Sequence, residues 1–237
     1  MSVIWHDLEC GSYTADLTLW RSLATREGDP ILEIGAGTGR VALDLARRGH
    51  QVTALDNDAV LLDELRRRSE RLELQTACAD ARSVELEARF ALCLVPMQTI
   101  QLLGGPRGRA NFLARARRHL RPGGLLAAAI SDSLKPYDID HGSPAPVPDM
   151  CECDGVVYAS QPTAIRSDNG RTVLERRREI VLPDGGREVE RHSIGLDRLT
   201  TETLEAELIA AGFTLAGRAT IAPTPDYAGS EVVIARA

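Results

Sequence analysis

Residues 31–40 read ILEIGAGTGR: a short apolar run that carries one acid, Glu33, and then opens into glycines at 35, 37 and 39. Glycines at this spacing let a backbone turn sharply and come close to a ligand, and a helix that follows points its free N–H groups at the same place. Phosphates, nucleosides and other polar cofactors all suit such a turn. Spacing narrows the choice. A dinucleotide fingerprint, G-x-G-x-x-G, would put its third glycine at position 40, where Arg40 stands, and a phosphate-binding P-loop would need a Gly-Lys-Ser/Thr that does not follow. Two further acids stand where a strand would end: Asp56 in TALDNDAV, with Asn57 beside it, and Asp80 in ACADAR, followed by Ala81.

The surrounding pattern supplies elements to position these residues. Strand-like runs at 31–34, 51–55, 72–77, 90–95 and 124–130 alternate with stretches whose apolar residues recur at three-and-four spacing, such as AVLLDELRRRSERL. That alternation implies a parallel sheet with crossover helices. Gly49 and a Pro122-Gly123-Gly124 turn are expected to stop two of the helices. Residues 134–150, rich in Pro, Asp and Gly, read as an irregular loop. Three more strand-like runs follow, at 156–166, 172–182 and 187–196, separated by DNG and PDGG; Asn-Gly and Asp-Gly favour hairpins because their turns take positive φ. The expectation is one domain spanning 1–237, with a loop and antiparallel meander inserted at 134–200. A helix near 201–211 and the runs FTLAGRATIA and EVVIARA close the chain.

Composition excludes several classes. The chain has 237 residues and a net charge of −6, against a protein whose work is to coat phosphate backbones, so no nucleic-acid partner is expected. Its basic charge is almost all arginine, with Lys135 the only lysine. No run of apolar residues has the length of a membrane span and the N-terminus has no signal-like pattern, so no membrane partner and a cytoplasmic location are expected. Five cysteines without C-x-x-C spacing and five scattered histidines indicate neither a disulfide framework nor a metal site.

On the residues Glu33, Gly35, Ala36, Gly37 and Gly39, then Asp56 and Asn57, then Asp80 and Ala81, and finally PGG at 122–124, the chain resembles the class I S-adenosylmethionine-dependent methyltransferases of small molecules. The features fall in that family's order across about residues 30–130. The resemblance implies a Rossmann-like α/β fold, a seven-stranded sheet flanked by helices whose last strand enters antiparallel. It also implies S-adenosyl-L-methionine as cofactor and S-adenosyl-L-homocysteine as product. In that family Glu33 would meet the methionyl end, Asp56 the two ribose hydroxyls, Asn57 the edge of the adenine, Asp80 the adenine amino group and the Ala81 N–H a ring nitrogen. Pro96, Met97 and Gln98 would lie where the methyl group is transferred. PMQT at 96–99 departs from the Asn/Asp-Pro-Pro-Tyr/Phe tetrad of the adenine, cytosine and glutamine enzymes.

The implied activity is methyl transfer to the nitrogen or oxygen of a small-molecule acceptor. An NAD(P)-dependent oxidoreductase and a non-catalytic S-adenosylmethionine-binding regulator are the alternatives. Tyr13, Gln98 and Tyr137 are the candidate acceptor-binding residues, with packing open to Tyr13 and helix capping to Gln98. No residue is marked as a catalytic base. The charged runs ERRRE and REVER have three fates open to them: solvent, pairing across the hairpin, or a second subunit in a homodimer.

Overall fold

The computed structural model describes residues 2–224 and 227–237. In chain order, α1 (Ser2–His6) and a π-helical turn precede α2 (Leu17–Glu27). Then come β1 (Ile31–Ile34), α3 (Arg40–Ala46), β2 (Val52–Asp56), α4 (Ala59–Arg68), β3 (Leu74–Cys78), β4 (Phe90–Val95), a 3₁₀ turn at Thr99–Leu102, α5 (Gly105–His119) and β5 (Leu120–Ile130). The inserted region holds β6 (Tyr137–Asp138), β7 (Asp149–Cys153), β8 (Val156–Asp168), β9 (Arg171–Val181) and β10 (Arg187–Asp197). α6 (Thr201–Ala210), β11 (Thr214–Ile221) and β12 (Ser230–Arg236) complete the chain.

These elements form two compact units, one of residues 13–133 and 199–237, the other of residues 1–12 and 134–198. The larger unit is built on a seven-stranded sheet of order β11-β12-β5-β4-β1-β2-β3. Its strands β1 to β5 pair in parallel, while β12 is antiparallel to both β5 and β11. Alternation along the strands sorts the core into two layers. Ile31, Leu92, Leu94 and Ala127 face Trp20, Leu23, Val41, Leu45, Leu62 and Leu65. Leu32, Ile34, Cys93, Val95 and Leu126 face Phe112, Leu113, Leu204 and Leu208. Burial on both faces explains why β1 and β4 are apolar throughout except for Glu33.

Two expectations change here. Pro122, Gly123 and Gly124 do not form a turn; they lie within β5, where Gly124 accepts the Ala237 N–H at 2.9 Å and Gly123 donates to the Ala237 carbonyl at 3.0 Å. The helix has already ended at His119, three residues before a proline that disfavours helical backbone at Arg121. Residues 134–150 are not wholly irregular either, since β6 and the start of β7 lie within them and both pair with β8.

The smaller unit is an antiparallel sheet of order β10-β9-β8-β6, with β7 also on β8. Asn169 and Gly170, both at positive φ, make the tight turn between β8 and β9. The charged middle strand pairs across the hairpin, as one of the three fates foreseen, through Arg178 with Glu190 and Glu179 with Arg187, and residues of the N-terminal segment also cover one of its faces. Glu9 accepts from Arg178 at 2.8 and 3.0 Å and from the Ser160 hydroxyl at 2.7 Å, while Arg176 reaches both Ser160 and Asp149. Arg178 also lies over the Trp5 ring at 5.2 Å, and Trp5 packs edge-on to Tyr158. These contacts hold the Glu9 carboxyl below its ordinary range despite its burial.

Helix packing dictates one glycine of the 31–40 stretch. A Cβ on Gly39 would lie 2.2 Å from Leu65 Cδ1 and 3.0 Å from Leu43 Cγ, at a φ of 96°. Gly39→Ala is expected to lower stability by about 2 to 3 kcal/mol, through overpacking against a fully buried leucine and an unfavourable φ. Urea unfolding followed by tryptophan fluorescence checks this; an unchanged midpoint contradicts the packing assigned to Gly39.

Candidate functional site

In the larger unit β1 sits between β2 and β4, so the strand order reverses beside it. Open parallel sheets take ligands outside the carboxyl ends of the strands at such a point. The sequence-predicted residues gather there: Glu33 within β1, Gly35 to Gly39 in the turn to α3, Asp56 at the end of β2, Asp80 after β3, and Pro96 to Gln98 after β4.

The turn is held from two sides. Gly35 and Ala36 donate to the Leu55 carbonyl at 2.8 and 3.0 Å, and the Gly37 N–H donates to Asp56 Oδ2 at 2.8 Å. Asp56 Oδ1 accepts from the Asp58 N–H at 2.9 Å. Each oxygen keeps a second lone pair, so the carboxylate that orders the turn can also accept from two ligand hydroxyls. Gly35, Gly37 and Gly39 all have positive φ, and a Cβ on Gly35 would lie 2.6 Å from the Thr99 side chain. Met97, the residue after Pro96, is itself left-handed at φ 54°, a conformation a side chain rarely adopts and one that re-aims the chain at the end of β4.

Glu33 is 2% exposed, and its Oε2 has no hydrogen-bond partner. Alternation puts it on the face of β1 that carries Ile31, toward α2 and α3. Burial pushes its carboxyl up to about 8, with the charges of Asp16 and Asp56 adding to the rise and Arg40 and the Ala42 N–H opposing it. Arg40 forks onto Asp16 at 2.6 and 2.7 Å and donates to the Tyr13 carbonyl at 2.8 Å, its guanidinium 5.1 Å from the Tyr13 ring centroid. The same Asp16 accepts from the Trp20 indole at 2.8 Å.

The remaining candidates fall in different places. Asp80 is gripped by Arg82, through Nε, Nη2 and the backbone N–H, and this holds its carboxyl low; Ala81 beside it is buried. Asn57 is exposed. Gln98 precedes the 3₁₀ turn but its side chain makes no cap bond, so capping does not account for it. Tyr13 is 4% exposed, tilted against Tyr227 with ring centroids 4.6 Å apart, which is the packing role open to it. Tyr137 lies in β6 of the smaller unit, half-buried, with burial raising its hydroxyl. Sequence spacing did not single out Asp16, Thr99 or the Gln101 side chain, which exchanges hydrogen bonds with the Ser131 backbone at 2.8 and 3.2 Å and ties the chain after β4 to the end of β5.

The donor set fits an amino-acid nucleoside. A buried carboxylate with an unmatched oxygen suits an ammonium, and a carboxylate with spare lone pairs suits a ribose diol. Residues 31–124 match the family model described as a methyltransferase domain. Within that span the chain is similar to a methyltransferase domain. It is 28% identical over 125 residues to the cypemycin N-terminal methyltransferase of a Streptomyces species, an alignment covering 52% of this chain and 50% of that protein, so this chain matches about half the length of that curated relative. The fold of the chain resembles that of a sugar N-methyltransferase from Streptoalloteichus (TM-score 0.77, 16% identity, 100% of this chain and 92% of the other). It also resembles that of an S-adenosylmethionine-bound amino pentose methyltransferase from Micromonospora echinaspora (TM-score 0.71, 20% identity, 96% and 93%).

A buried acid that holds its proton has a signed consequence for stability. Between its unfolded value near 4.5 and its folded value near 8, Glu33 binds a proton in the native chain and not in the unfolded one. Its contribution is therefore fully present below pH 4.5 and lost as pH rises through 8. Glu33→Gln, which keeps the shape without the ionisation, is expected to gain in Tm over the unsubstituted chain as pH is raised from 5 to 8.5. Parallel Tm curves across that range would contradict the burial of an ionisable group there.

Proposed function

We propose that the protein transfers a methyl group from S-adenosylmethionine to an amine nitrogen of a small-molecule acceptor. The observation that carries the cofactor half is the pairing of an unmatched buried Glu33 oxygen with an Asp56 carboxylate that still has free lone pairs. The acceptor half is supported by the names of the similar proteins, which describe an N-terminal, a sugar N- and a glycopeptide N-methyltransferase.

When bound, the cofactor supplies a sulfonium-linked methyl group open to in-line displacement. The chain's own contribution is positioning. Glu33 is proposed to hold the ammonium of the methionyl end, the turn through Gly35, Ala36, Gly37 and Gly39 to admit that end to the backbone, and Asp56 to accept both ribose hydroxyls. Asn57, Asp80 and Ala81 are proposed to border the adenine, with Asp80 kept ionised by Arg82. Pro96 and Met97 are proposed to close the site beside the reacting centre, with Gln98 as an acceptor contact; Tyr13 is proposed to brace Arg40. The acceptor role of Tyr137 rests on the family resemblance alone. A neutral amine brings its own lone pair, so the reaction asks for no strong base.

Residues 1–237 are proposed to act as one methyltransferase domain with an insertion at 134–200, supported by the return of the chain at Leu199 to supply α6, β11 and β12 to the larger unit. A homodimer is a further proposal, supported by the outer edge of β10, which has no strand partner among the described residues. Among those residues no helix is long and apolar enough to cross a membrane. A cytoplasmic location is proposed, supported by five cysteines without the paired spacing of a disulfide framework, and no nucleic-acid partner is proposed for a chain of net charge −6.

Asp56→Ala is expected to weaken S-adenosylhomocysteine binding by about 1.5 to 3 kcal/mol, the loss of charge-assisted hydrogen bonds. Calorimetry measures it, with NADH as comparison; NADH binding in place of S-adenosylhomocysteine would overturn the cofactor. Mass spectrometry of a panel pairing amino sugars and free peptide N-termini with phenols and sugar hydroxyls tests the acceptor. The amines are expected to gain 14 Da increments, as about one CH₂ per transfer requires; methylation confined to hydroxyls would overturn the amine assignment.

A further inference from the structure

Three carboxylates, of Asp16, Glu33 and Asp56, bear on the end of β1, and Arg40 is the cation whose charge reaches Glu33 there. That guanidinium forks onto Asp16 and donates to the Tyr13 carbonyl. Asp56 takes the N–H groups of Gly37 and Asp58. Glu33 has the Ala42 N–H for one oxygen and nothing for Oε2, in a position that is 2% exposed. An ionised carboxylate this poorly matched is costly in a dry interior, and the group escapes the cost by remaining neutral.

We propose that Glu33 is protonated in the cofactor-free chain and exchanges this proton for the ammonium of an α-amino-acid moiety, so that the site selects ligands bearing that ammonium and releases a proton as they bind. The inference rests on the cofactor reading above and adds a selection rule to it. The O–H bond on Glu33 breaks, its proton passes to solvent, and the carboxylate then accepts from the ligand's N–H; no electrons change hands. The neighbouring charges set the balance in the expected sense: Asp16 and Asp56 favour the neutral form, and Arg40 and the Ala42 N–H oppose it without supplying Oε2 with a partner.

A group that titrates near 8 in the free chain is ~90% protonated at pH 7, so binding should release ~0.9 proton per site there. Affinity should then rise nearly tenfold from pH 6 to pH 7 and flatten as pH passes about 8. 5′-Methylthioadenosine, which has the nucleoside and no amino acid, leaves Glu33 neutral and should release no proton.

The test is calorimetry of S-adenosylhomocysteine with the full chain at pH 6, 7 and 8, in buffers of different ionisation heat, with methylthioadenosine and Glu33→Gln alongside. The expected result is proton release and a rising affinity for S-adenosylhomocysteine with the unsubstituted chain, and neither with methylthioadenosine or with Glu33→Gln. Binding of S-adenosylhomocysteine with a flat pH profile and no released proton overturns the inference while leaving the cofactor reading intact, and so does a release that persists in Glu33→Gln. No binding of S-adenosylhomocysteine to the unsubstituted chain at any pH overturns the cofactor reading, and the inference with it.

Discussion

A single acid on the buried face of β1 constrains everything around it. Glu33 follows Ile31 and Leu32 in a strand covered on both sides, so its carboxyl is almost wholly withdrawn from bulk water. The nearby cation is Arg40, at the first turn of α3, and it is matched by Asp16 at the start of α2. Asp16 is in turn fixed by the Trp20 indole, the largest fully buried side chain of the core. One chain of polar contacts therefore joins the strand end, the helix after the glycine turn and the helix before the sheet. Its unfilled position is the Oε2 of Glu33, and in a dry interior an unfilled acceptor is a point of recognition because its satisfaction is worth more there than in water.

The glycine turn does two kinds of work that its regular spacing conceals. Gly35 leaves room for Thr99, and Gly37 places its N–H on Asp56. Gly39 answers to packing instead, where α3 meets Leu65 of α4. Arg40, read in the sequence as the residue that spoils a dinucleotide fingerprint, is the anchor of the Asp16 pair. A large side chain is tolerated at that position because it leaves the helix–sheet contact and lies along Tyr13.

The smaller unit shows why charged strands are hard to interpret from pattern. ERRRE alternates charge with charge, which in isolation marks a solvated face. Arg176 and Arg178 are instead carried on one face of β9 beneath Glu9 and Trp5, residues some 170 positions away in the chain. Arginine makes this arrangement workable, since its planar fork meets a carboxylate and its flat face meets an aromatic ring at the same time.

The sequence by itself determined the alternation of strands and helices, the hairpin at Asn169-Gly170, the return of the last two strands to the sheet, and the places of Glu33, the glycines and Asp56 along β1, the turn after it and the end of β2. These depend on local periodicity and on residue types that tolerate one backbone geometry, and such signals lie within a few residues of each other. Tertiary structure alone decided that Asp16 holds Arg40, that Tyr13 lies against Tyr227, that Asp80 is paired with Arg82 in a closed fork, that Pro122 to Gly124 continue a strand, and that the N-terminal residues cover the inserted sheet. Each of these turns on which partners lie opposite in space and on how much water reaches them. Burial is a property of the assembled layers, and it is burial that leaves the Glu33 oxygen without a partner.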